Sequence, residues 1–179
     1  MTDMVEKNKS KLSNFVSKKG QVIKFVDYLL PNLDSNTNVL EMKIRLIYAG
    51  GKTSYFCMIS RDEEYGSKVA AIEEKDLDEI LKAIESLEKD VEKTDMKEAD
   101  YIENKFVTED GFKIGYYAIF KEGFMGVGEQ DFNWFITLEE YDETTEFFDQ
   151  DINKIKNSLL LAREKIQAIK TKIPSQLTL

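Results

Sequence analysis

The spacing of apolar positions along the chain changes twice. Over residues 1–30, Val5, Leu12, Phe15 and Val16, followed by Val22, Ile23, Val26, Leu29 and Leu30, form a 3.6-residue stripe broken at Gly20. With Thr2 as a cap and Pro31 as a stop, this spacing predicts an N-terminal helical arm. The turn-rich NLDSNTN segment then reads as a connector. From residue 38 the period becomes two: Met42, Ile44, Leu46 and Tyr48 alternate with Lys43, Arg45 and Ile47, the mark of a half-buried strand. A second strand carries Tyr55, Cys57 and Ile59 on one face and Phe56 and Met58 on the other, and KVAAIE supplies a third. Helical spacing returns with Leu77, Ile80, Leu81, Ile84, Leu87 and Val91. The order then recurs, with YIENKFV, GFKIGYYAIF and FNWFITLEE as three strands and residues 151–170 as a long helix.

These elements define an α+β fold: a single domain on one mostly antiparallel sheet of about six strands, with helices packed on one face. The N-terminal helical arm covers 1–30, the α+β domain 38–172, and a tail 173–179. Two βββα halves, 38–98 and 99–172, suggest an internal duplication. Placing Gly51 over Gly111 pairs Lys52 with Lys113, Tyr55 with Tyr116, Phe56 with Tyr117 and Met58 with Ile119.

Two glycine-containing stretches invite a nucleotide reading. Gly50-Gly51-Lys52-Thr53 ends like a phosphate-binding loop, but Leu46 stands where that loop needs its first glycine, and aromatic strand residues follow instead of a helix. It therefore reads as a hairpin turn. The segment KEGFMGVGEQDFNW spaces its glycines G-x-x-G-x-G, which is not the dinucleotide fingerprint, and it reads as a long hairpin connection. Its apolar residues Phe124, Met125 and Val127 make it a candidate contact loop.

Composition narrows the chemistry further. Histidine is absent, which removes histidine-based triads, histidine zinc sites and the usual neutral-pH proton shuttle. The single Cys57 precludes an intrachain disulfide and fits a reducing cytoplasm. Carboxylates gather at Asp62, Glu63 and Glu64, and again across EEYDETTEFFDQD, but without the spacing of a calcium loop. Those near Asp76 and Asp151 are expected as helix caps and dipole partners. No metal site, catalytic residue or cofactor site is assigned. The net charge of −9 lies in the middle of the chain, whereas residues 1–30 set six lysines against Asp3, Glu6 and Asp27. Such an acidic body argues against nucleic acid, and the basic ends are expected to offset it. No apolar run reaches the roughly 20 residues of a membrane span, and a signal-peptide core is missing.

Two features point to contacts. Aromatic residues load the strands on both faces, among them Tyr101, Phe106, Tyr116, Tyr117, Trp134 and Phe135, so the sheet is either covered twice or offers one face for binding. In the last helix, Ile152, Ile155, Leu159, Ala162, Ile166, Ile169 and Ile173 step by three and four. Docking on the chain's own sheet is the favoured use of this stripe, and Ile155, Leu159, Ala162, Ile166 and Ile169 are the candidate interface should the helix dimerise. The best functional expectation is a non-catalytic binding or adaptor protein, with a protein partner or self-association favoured over a small molecule. The order helix, three strands, helix, two or three strands, helix in an acidic chain of this size resembles the secretion chaperones of bacterial pathogens. That resemblance, one of element order, implies a chaperone for an unfolded segment. An enzyme using carboxylates or tyrosines is the third reading.

Overall fold

A computed structural model describes residues 10–17, 19–123 and 128–172. The architecture is α+β, and the described residues form eight strands in two antiparallel four-stranded sheets and three helices. The chain runs α1 (Lys11–Val16), β1 (Ile23–Asp34), β2 (Val39–Ala49), β3 (Lys52–Glu63), β4 (Gly66–Glu73) and α2 (Glu74–Lys93), then β5 (Tyr101–Val107), β6 (Lys113–Lys121), β7 (Glu129–Thr137), β8 (Glu146–Phe147) and α3 (Ile152–Lys172). Strand order follows sequence order in both sheets, β1-β2-β3-β4 and β5-β6-β7-β8.

The helical reading of residues 21–30 is overturned. Strand β1 pairs with β2 from Ile23↔Ala49 to Leu30↔Met42, and only the six residues of α1 remain of the predicted arm among the described residues. The i, i+3, i+4 spacing concealed a second pattern in the same residues. Val26, Tyr28 and Leu30 pack toward the core, while Phe25, Asp27 and Leu29 project from the other face. Ile23, Val26, Phe25 and Tyr28 are residue types that suit a pleated, half-buried surface. Pro31 ends no helix. It falls where the β1–β2 register shifts between Leu30 and Leu33, on an edge strand, where a missing N–H removes no ladder bond.

Reading β1 as helix and missing the two-residue β8 also explains why each half looked like βββα. The first half had lost its first strand and the second its last, so the pairing of Tyr55 with Tyr116 sets the third strand of one sheet against the second strand of the other. The expected hairpin at Gly50-Gly51 is present: both residues have positive φ (57° and 74°), joining β2 to β3 as the twist of a two-residue turn requires.

Both sheets and the two long helices share one core. Leu40, Met42, Ile44 and Leu46 of β2, Cys57 and Ile59 of β3, and Ile114, Tyr116, Trp134 and Ile136 of the second sheet converge on Leu77, Ile80 and Ile84 of α2 and Ile155, Leu159 and Ile166 of α3. Helix α2 touches both sheets, and α3 lies beside α2 over β1 and β2. Lys170 Nζ reaches Glu74 at 2.6 Å and Lys156 Nζ reaches Glu88 at 2.7 Å, so the helices run antiparallel and the basic C-terminal helix meets the acidic middle one. Asp76, expected near a helix start, does sit in the first turn of α2, but its buried carboxylate grips Lys11 Nζ at 2.6 Å and anchors α1.

Helix α1 caps a smaller apolar cluster on the opposite face of the first sheet, where Leu12, Phe15 and Val16 lie against Ile47, Phe56 and Met58. Ser10 accepts a hydrogen bond from the Ser13 N–H at 3.1 Å to start this helix. The first sheet is therefore covered on one face by the long helices and partly on the other by α1. No described helix packs on the corresponding outer face of the second sheet.

Candidate functional site

Alternation along β5, β6 and β7 sorts the aromatic residues between two environments. Tyr116, Phe132 and Trp134 turn inward, and their rings interlock at centroid distances of 5.4 to 6.0 Å. Their neighbours by one residue, Tyr117 and Phe135, turn outward, joined by Tyr101 of β5 and by Phe147, which pairs with Phe135 across β7 and β8. Tyr117 is the hub of this outer set, with ring centroids 6.3 Å from Tyr101, 6.5 Å from Phe135 and 5.7 Å from Phe147. Together with Glu103, Lys105, Lys113, Thr145 and Asp142 they line a cavity of about 370 Å³ that opens to solvent. That volume is in the range of sites for small ligands or single side chains.

The two ends of the cavity differ in charge. At one, Glu103 accepts from Lys105 and from the Tyr101 hydroxyl. The lysine bond, then the tyrosine bond, holds the Glu103 carboxyl below its usual range, and the same contact pushes the Tyr101 phenol up to about 12. Lys113 Nζ donates to the Glu140 carbonyl at 3.2 Å. At the other end, Asp142 belongs to a buried ionic cluster where the two sheets meet. Arg61, on β3, donates from Nη1 to Glu146 at 2.7 Å and from Nη2 to Glu63 at 2.7 Å and Asp142 at 2.9 Å. The side chains of Arg61, Asp142 and Glu146 are only 5%, 1% and 0% exposed. Burial alone would lower the Arg61 pKa, but the bonds to Asp142, Glu63 and Glu146 outweigh it and the guanidinium is held more firmly charged.

The same cluster stitches the sheets together. Glu146 also accepts from Ser35 Oγ at 2.6 Å and Asn38 Nδ2 at 3.1 Å, both in the β1–β2 turn, and the Asn36 N–H donates to the Phe147 carbonyl at 2.8 Å. The Glu139 side chain accepts from the Val69 N–H at 2.9 Å, closing part of the β4 edge. Within the cluster one guanidinium faces three carboxylates. Asp142 Oδ1 takes Arg61 and the Thr144 N–H, whereas Oδ2 is buried and has no hydrogen-bond partner among the described residues.

Other chemistry-bearing groups lie elsewhere. A depression of about 570 Å³ runs between α2 and β5; of its two carboxylates, Glu79 and Asp90, the latter already accepts from Tyr116 Oη and from Asn104 Nδ2. Cys57 is fully buried, and burial pushes its thiol up to about 12. Of the residues picked out in the sequence, Phe124, Met125 and Val127 lie outside the described residues. Ile155, Leu159, Ala162, Ile166 and Ile169 are all buried against the chain's own core. Among the described residues no group of three or more carboxylate or thiol side chains is arranged to hold a metal ion. No described helix is long and apolar enough to cross a membrane.

Alternation could place Tyr101, Tyr117 and Phe135 on one face. It could not reveal Phe147, because a two-residue strand has no period to read. Asp142 and Glu146 were visible only as members of an acidic run, since their partner Arg61 is some eighty positions away. Comparisons with protein-family models, with curated proteins and with solved structures each give no match, so the functional argument rests on the geometry.

Proposed function

We propose that this chain is a non-catalytic binding protein whose recognition surface is the outer face of the second sheet, centred on Tyr117. The observation that carries the reading is the uncovered aromatic face itself: Tyr101, Tyr117 and Phe147 are partly exposed around an open cavity, while the equivalent face of the first sheet is partly sealed by α1. Aromatic side chains with a polar tip combine contact area with low ordering entropy, which suits a surface that must serve in water both empty and occupied. The carboxylates nearby support binding over catalysis, because Glu103, Asp142 and Glu146 are tied into ion pairs. A partner polypeptide presenting a side chain to the cavity fits the open, shallow shape, and the single buried cysteine fits a reducing cytoplasm.

Selection of linear peptides from a displayed library on the full chain, followed by binding measurements on Tyr117→Ala, tests the proposal. Selected peptides should lose most of their affinity for the variant, while the variant keeps its unfolding midpoint within a small margin. Peptides that bind the variant as tightly as the parent would place recognition elsewhere on the molecule.

A further inference from the structure

Resting on the reading of the Tyr117 face as a binding surface, we infer that its cavity takes an alkylammonium group, with the stem on the Tyr117 and Phe147 rings and the charge at Asp142 Oδ2. Three independent features of the cavity agree on this chemistry. Asp142 Oδ2 is a buried carboxylate oxygen without a partner among the described residues, in a structure where such atoms are expected to be paired. The cluster behind it has one cation for three carboxylates, so the unspent charge at this end is negative. The walls beside it are ring faces and edges, with Phe147 set edge-on to Tyr117 at 77°, and aromatic faces attract cations.

The choice of ammonium over guanidinium follows from the number of free acceptors. Oδ1 of Asp142 is already occupied by Arg61 and the Thr144 N–H, leaving a single oxygen. A planar guanidinium gains most from two parallel acceptors, whereas an ammonium is a compact charge that a single oxygen can hold. An anionic ligand is the rival, since Lys105 and Lys113 also line the cavity. Those cations are engaged, however, Lys105 by Glu103 and Lys113 by the Glu140 carbonyl. The attached stem is expected to be apolar, because Tyr117, Phe135 and Phe147 offer ring surface rather than hydrogen-bond partners along the approach to Asp142.

The test uses the full chain, isotope-labelled, titrated with four probes: n-butylamine, capped lysine (N-acetyl-lysine methylamide), capped norleucine and capped glutamate. Amide shifts at Tyr117, Thr145 and Phe147 are the readout. Capped lysine or n-butylamine should give saturable shifts centred there, with capped norleucine weaker by about tenfold, the ratio that a charge contact near 1.4 kcal/mol produces. Asp142→Asn should erase the preference for lysine over norleucine. Tyr117→Leu, which leaves the Arg61 cluster untouched, should weaken lysine binding while keeping the fold. Saturation by capped lysine assigns the group to a protein side chain, and saturation by n-butylamine alone assigns it to a free amine. Capped norleucine binding as tightly as lysine overturns the inference but leaves the Tyr117 face a binding surface. Capped glutamate binding more tightly than lysine, or no probe shifting these amides, also overturns it, and the peptide selection above then decides the broader reading separately.

Discussion

Replacing three of the four members of the Arg61 cluster one at a time should give unequal losses of stability, and the order follows from which charge is stranded. Arg61→Ala removes the cluster's cation and leaves the Asp142 and Glu146 carboxylates buried without a counter-charge. Breaking a buried pair in this way costs about 3–5 kcal/mol, and two stranded carboxylates put this variant at the upper end. Glu146→Ala takes an acceptor from Arg61, Ser35 and Asn38, but the guanidinium keeps Asp142 and Glu63, Ser35 Oγ has the Asn38 carbonyl at 3.2 Å, and Asn38 has the Thr37 hydroxyl at 3.2 Å. Its loss should be smaller, about 2–3 kcal/mol, the cost of deleting charge-assisted bonds without orphaning the cation. Glu63 is partly exposed, and Glu63→Ala should cost no more than about 1 kcal/mol. Urea unfolding followed by the fluorescence of Trp134 suits the measurement. This is the sole tryptophan, it is buried, and its backbone bonds to Phe148 and Asp149 tie it to the same junction. Equal midpoint shifts for Arg61→Ala and Glu63→Ala would refute the assignment of a buried, charge-carrying junction between the sheets.

Further expectations test individual elements. Gly51→Ala and Gly111→Ala both force a side chain into positive φ, but a Cβ on Gly51 meets open space whereas one on Gly111 falls 2.5 Å from Glu140 Cβ and 2.7 Å from its backbone nitrogen. The first should cost about 1 kcal/mol and the second about 3 or more in the same urea assay. Asp27 is held at a pKa of about 2, against 3.8, chiefly by the Arg45 hydrogen bond and further by Lys43. A lowered folded-state pKa means its contribution is complete above about pH 4 and fades as pH falls toward 2, so the stability gap to Asp27→Asn should close over that window, and sooner in high salt. Cys57, buried with its thiol pushed up to about 12, should resist iodoacetamide at pH 8 until denaturant opens the core. Leu159→Ala deletes a fully buried side chain and should lower stability by about 2–5 kcal/mol without changing the mass measured by light scattering, since Leu159 packs in the chain's own core.

The legible part of the fold was its long-period content. Helix α2 forms where the helical spacing predicted it because six apolar positions, from Leu77 to Val91, repeat over several turns and no competing pattern overlaps them. The α3 stripe was equally plain, and the structure buries it from Ile152 to Ile169. Strand β1 was misread because Val22, Ile23, Val26, Leu29 and Leu30 satisfy helical spacing by coincidence, while the exposed apolar Phe25 and Leu29 blur the alternation. The exposed set is itself informative: Arg45 lies over the Phe25 ring at 5.3 Å and is bound to Asp27, so the part of the outer face beyond the α1 cluster is dressed by charge. The Arg61 cluster was illegible for a different reason. It joins a strand in one sheet to a loop and a two-residue strand in the other, and no local pattern records a contact across such a separation.

The two sheets meet the same physical demand in different ways, and the proposed recognition surface rests on that difference. A strand with large apolar or aromatic side chains on both faces requires two covers, since only one face can turn to the shared core. In the first sheet the second cover is α1, fastened by the Lys11–Asp76 ion pair and by the Lys11 N–H on Asp110 at 3.1 Å. In the second sheet, Ile119 and the aromatic set around Tyr117 have no such lid among the described residues, and the sequence softens that exposure by using tyrosines at two of the positions and by bracketing them with the Glu103, Lys105 and Lys113 charges. If the surface were merely tolerated, replacing Tyr117 by a smaller polar residue would be neutral or would improve solubility with no loss elsewhere. A surface maintained for contact behaves otherwise: Tyr117→Ser should leave folding nearly intact, because the core faces carry it, and should abolish recognition.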